Sequence, residues 1–129
     1  MFKPYQPREQ LSLSLTVPDV HLISLQPALE GLIVPSKFYG IAAAGRPTIY
    51  VGDREGEIPN ILRETGSGYT VSVGDSVELG NRILGMFRNN NETLSMGLRA
   101  RLAFDQHFDQ RHAFTAWQLL LQQAQVFRE

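Results

Sequence analysis

No cysteine occurs among the 129 residues. That excludes a disulfide framework, a thiolate metal centre and a cysteine nucleophile, and it suits a reducing compartment. Lysine is almost as scarce, with only Lys3 and Lys37. Charge of one sign is lacking too. Twelve Lys and Arg against 13 Asp and Glu leave a net charge of −1, which argues against a nonspecific nucleic-acid binder. No apolar run approaches the roughly 18 residues that would span a bilayer. The opening MFKPYQPREQ carries no apolar signal core. These absences point to a cytoplasmic chain without a transmembrane segment.

What is present is the composition of a folded domain. Hydrophobic residues make up 43% and charged residues 19%, enough for one domain over 1–129 with a modest core. Pro7 opens a first helix that carries Leu11 and Leu15 and stops at Pro18. Val20, Leu22, Ile23 and Leu25 read as a buried strand beginning at Asp19. A helix over about 36–44 follows, then a β-branched strand at 47–51, a short helix at 58–64 and a strand at 69–73. Asp75 and Glu78 have capping-box spacing before a helix with Leu79, Ile83, Met86 and Phe87 on one face. The Asn run at 89–91 breaks it. The helical C-terminal segment, about 92–126, carries Leu94, Leu98 and Leu102, then Phe114, Trp117, Leu121 and Ala124. The order αβαβαβ plus helices predicts an α/β fold, a short parallel sheet between helical layers. Such sheets bind ligands beyond the carboxyl ends of their strands.

The segment EGLIVPSKFYGIAAAGRP, residues 30–47, sits at such an end. It places Pro35, Ser36 and Lys37 at the mouth of a helix rich in small residues. A helix N-terminus with a lysine beside it can seat a phosphate or diphosphate. Equally, Ser36 can be an ordinary cap, Lys37 a solvated side chain and the alanines helix packing. The residues alone leave both open.

The run from Asp19 to Ile58 resembles the nucleotide-sugar-binding region of group 1 (family 4) GT-B glycosyltransferases, in the branch with Pro-Ser-Lys before an Ala-rich helix. GSGYTVSVGDSVELGNRI and MGLRARLAFDQHFDQRHAFTAWQLLL look like that family's later elements in order, over about residues 5–121. The resemblance implies a partial Rossmann-like three-layer domain, the second half of the C-terminal, donor-binding domain. It implies transfer of a sugar from a nucleoside diphosphate-sugar to an acceptor hydroxyl, without a metal or other cofactor. Carried over, Pro35, Ser36 and Lys37 would face the donor diphosphate, and Glu30 and Gly31 would lie near the donor sugar. Gly40 stands where such enzymes hold the ribose with a Glu, leaving Tyr39 as the nearby group that could stack or hydrogen-bond. The resemblance names no catalytic residue. The acceptor domain, with the usual base, would precede Met1. The expected partners are therefore the donor and either that missing half or further copies of the chain, with the full-length enzyme peripheral at an inner membrane. The alternative function is a non-catalytic nucleotide-binding or assembly module with the same fold.

Other features are expected to be structural. Asp53, Glu55 and Glu57 read as a solvated acidic turn and not a metal site. His21 reads as a satisfied core histidine. His107 and His112 are badly spaced for metal ligation. Arg99 and Arg101 read as a charged helix face, and Trp117 as an anchor for the last helix.

Overall fold

The computed structural model describes residues 10–32 and 34–108. Three parallel strands form one sheet in the order β1 (His21–Ser24), β2 (Thr48–Val51), β3 (Gly68–Val71). His21, Thr48 and Gly68 stand in register, as do Ser24, Val51 and Val71. Helices supply the crossovers that parallel pairing demands: α2 (Lys37–Ala43) joins β1 to β2, and α3 (Glu57–Thr65) joins β2 to β3. Ahead of β1 lies α1 (Leu11–Thr16), and beyond β3 lie α4 (Ser76–Arg88) and α5 (Asn90–Ala103). The α/β class and the short parallel sheet are as the periodicity indicates. A 3₁₀ turn at Pro27–Leu29 and a π-helical turn at Phe104–Phe108 are additions that no sequence pattern announces. Among the described residues no helix is long and apolar enough to cross a membrane. The Pro7 helix start, His112 and the last helix with Trp117 lie outside the described residues.

Strand alternation sorts side chains onto two faces. Ile23 and Tyr50 point to one face and pack with Leu15, Leu25, Phe38, Ile41, Ile58 and Leu62 from α1, α2, α3 and the end of β1. Ile49 and Val71 point to the other and pack with Met86 and Met96. This second layer is thin. The stripe expected to bury α4 is mostly exposed: Met86 is buried, but Ile83 is 49% and Phe87 84% exposed. Leu22 is also exposed on the β1 side of the face. An apolar cavity of about 380 Å³ opens there, among Val20, Ile49, Ile83, Met86 and Phe87.

The leucines of α5 do not form its buried face. Leu94, Leu98 and Leu102 are exposed, and the helix buries Thr93, Met96, Gly97, Ala100 and Ala103 instead. Small residues win because α5 lies directly on backbone. A Cβ built on Gly97 would overlap the Gly45 carbonyl. Gly45 itself has φ of +71°, a turn conformation that suits glycine after α2.

Arg99 and Arg101 are likewise more than a charged face. Arg99 Nε donates to the Gly66 carbonyl at the end of α3 (2.9 Å) and its Nη2 pairs with Glu92. Arg101 Nη1 donates to the Ala43 carbonyl at the end of α2 (2.5 Å). Arg46 completes the set by donating from Nε and Nη2 to the Thr16 carbonyl at the end of α1. Each of these three helices thus has a carbonyl at its end met by a guanidinium. The opposite end of the sheet, at the carboxyl ends of the strands, is left open.

Candidate functional site

Beyond the carboxyl ends of β1 and β2 lies a cavity of about 360 Å³. It is lined by Pro27, Glu30, Gly31, Val34, Asp53, Glu55, Gly56 and Glu57. Two chain segments build it. The first leaves β1 at Leu25, makes the 3₁₀ turn and reaches Gly31, whose φ of +84° lets the chain reverse toward α2. The second is the GDREGE turn after β2. There Asp53 accepts from the Glu55 amide (3.0 Å), an Asx turn of the kind Asp favours.

Glu30 is the best-held group in the cavity. Tyr50 Oη donates to Glu30 Oε2 at 2.6 Å, a short charge-assisted bond. The other carboxylate oxygen lies over Gly56, leaving no room for a Cβ there. On the far side, Tyr39 Oη donates to Glu57 Oε1 at 3.1 Å. Burial first, and then the adjacent Glu57, pushes the Tyr39 phenol up to about 12. Burial followed by Glu30 pushes the Tyr50 phenol upward as well. Both hydroxyls therefore stay protonated donors at any physiological pH. Among the described residues, no group of three His, Asp or Glu side chains is arranged to hold a metal ion.

The structure divides the residues singled out in the sequence. Glu30 and Gly31 line the cavity, and Tyr39 reaches its wall through Glu57. Ser36 and Lys37 do not line it. Ser36 has helical angles and makes no side-chain cap bond. With seven residues, α2 is also too short to offer a strong dipole end. Lys37 is exposed, and its charge helps to lower the pKa of His21. His21 is a satisfied core residue, as expected: Nε2–H donates to the Leu15 carbonyl at 2.8 Å, and burial is the main cause of its lowered pKa. Pro35 accepts the Phe38 amide through its carbonyl and starts α2. Gly40 packs against α1, where a Cβ would approach Leu15 Cδ1 to 3.0 Å. A side chain in that place would need Leu15 to shift.

Two contributors escaped sequence reasoning, Tyr50 and Gly56. Tyr50 reads as a core strand residue, because nothing local distinguishes a buried Tyr whose hydroxyl is used from one whose ring simply packs. Gly56 reads as one turn glycine among several.

No family model matches the chain, and no solved structure matches it significantly. Among curated proteins it is similar to the probable glycosyltransferase WbjE of Pseudomonas aeruginosa, with 36% identity over 77 residues. That stretch takes in 60% of this chain and 19% of the relative, so the chain spans only a small part of that protein's length. The shared stretch relates this chain, in part, to a glycosyltransferase.

Proposed function

We propose that the chain is the donor-binding part of a glycosyltransferase of the GT-B group, acting on a nucleoside diphosphate-sugar. The observation that carries this reading is the 36% identity with a probable glycosyltransferase. The cavity at the carboxyl ends of parallel strands supports it, because that is where open α/β sheets take their ligands. In this reading Glu30, with Gly31 beside it, faces the donor sugar and accepts from its hydroxyls. Lys37, next to Pro35 and Ser36, meets the diphosphate outside the cavity. Its ammonium offsets the charge that builds on the leaving diphosphate as the acceptor hydroxyl attacks the anomeric carbon. This requires no metal. The acceptor and its base belong to a further domain, or to a second chain.

A second reading is favoured by Gly40. Gly40 has no side chain to hold a ribose, and a Cβ there would come within 3.0 Å of Leu15 Cδ1. A non-catalytic nucleotide-binding or assembly module would tolerate that loss.

Calorimetric titration of UDP, GDP and their sugars against the chain and its Lys37→Ala variant tests the proposal. The expected result is saturable binding that the substitution weakens by about tenfold, the scale of one charge-assisted contact. Absence of saturable binding to any of these ligands overturns it. Binding without sugar transfer, even with an acceptor domain supplied, supports the second reading.

A further inference from the structure

We infer that Tyr50 and Gly56 are positioning residues, which together lock the Glu30 carboxylate in place to receive the sugar of the donor. This inference rests on the donor-binding reading above and goes beyond it in assigning the control of that carboxylate to two residues of the scaffold.

The argument starts from the cost of the hydroxyl. Tyr50 is wholly buried in the central strand, packed with Ile23, Phe38, Ile41 and Ile58. Phe would fill the ring's volume equally well. A phenol in apolar surroundings is tolerated only if its O–H finds a partner, and the partner here is Glu30, 20 residues earlier in the chain. The ring is steered toward it by the absence of a side chain at Gly52, where a Cβ would come within 2.8 Å of Tyr50 Cε1. A rigid core strand thus reaches into the 25–36 loop and fixes one carboxylate oxygen.

Gly56 seats the other oxygen. Its φ of −164° is open to any residue, so backbone conformation does not require glycine. The space a Cβ would take is filled by Glu30 Oε1, so this placement of the carboxylate depends on glycine here. Glu side chains have several rotamers, and holding one in place before the ligand arrives removes that ordering cost from binding. Support of this kind is how a site on a loop gains the precision of the core.

The test uses the 129-residue chain, with UDP-glucose, UDP-N-acetylglucosamine and GDP-mannose compared with UDP and GDP. Tyr50→Phe keeps the ring and removes the bond. Gly56→Ala leaves Tyr50 intact and pushes the carboxylate aside. Each should lower affinity for the preferred sugar nucleotide by about tenfold while bare nucleotide binding stays within about twofold. Glu30→Gln should behave alike, and combining it with Tyr50→Phe should add little. If Glu30→Gln loses the sugar preference but neither Tyr50→Phe nor Gly56→Ala does, the positioning role fails while the donor reading stands. Equal loss of both ligand types in these two variants shows a merely structural role and also overturns it. If the unaltered chain binds sugar nucleotides no better than bare nucleotides, or binds neither, the inference falls together with the donor reading.

Discussion

His21 links the stability of the fold to pH. Burial disfavours its charged form, and Lys37 and Arg46 add to that, so its pKa in the fold lies below the ordinary 6.5. Below pH 6.5 the unfolded chain therefore binds more protons than the folded one. The stabilising contribution is fully present above that pH and is lost as pH falls toward the lowered folded value. Urea unfolding at pH 7.5 and about 5.5 should show a drop in stability that is smaller in His21→Gln, whose amide can keep the bond to Leu15. An identical drop in both proteins would remove His21 from the account. At this scale the sequence was informative about identity and poor about company. A histidine alternating with apolar neighbours announces a core position. The phenol of Tyr50 and the carboxylate of Glu30 are 20 residues apart, and no local pattern joins them. Ser36 and Lys37, six and seven residues from Glu30, look like its neighbours, yet the turn into α2 carries them away from the cavity.

Between elements, α5 and the turn after α2 meet in a close backbone contact. Gly97→Ala would drive a methyl into the Gly45 carbonyl. The expected loss is about 1–3 kcal/mol, the usual cost of overpacking a close contact. Gly85→Ala, in α4 with open space where its Cβ would be, should be neutral or stabilising by roughly 0.5–1 kcal/mol. Chemical denaturation of the two variants checks the contrast, and equal effects would show that the joint is not tight. Local chemistry revealed the helix boundaries well. Asp75 accepts from the Glu78 amide, as its spacing implied, and Gly66 ends α3 in a left-handed conformation. The packing face of α5 was hidden because its leucines form a regular stripe, while the buried side is chosen by how near a backbone can come. The arginine caps were hidden for a related reason. Their carbonyl partners lie 30 to 58 residues away.

For the whole molecule, the unfinished surface is the face of the sheet under α4. Among the described residues β1 is an edge strand that carries the exposed Leu22, and beside it Ile83 and Phe87 help line an apolar cavity. Open edges and contiguous apolar patches favour association. The isolated chain should self-associate at high concentration, and Phe87→Glu should shift it toward the monomer in light scattering. A strictly monomeric unaltered chain would count against this. The association and the proposed donor site occupy different parts of the fold, so Phe87→Glu should leave nucleotide titrations unchanged. Asn89 has a bearing on the molecule's tolerance of change. It ends α4 and caps α5 through its side chain, accepting from the Glu92 amide, so no loop separates the two helices. One residue gained or lost there would turn α5 by about 100° around its axis. Gly97, Arg99 and Arg101 would all swing off their carbonyls together. The join between the last two helices thus acts as a phase setting for the whole amino end of the sheet, and evolution can vary what residues stand there far more freely than how many.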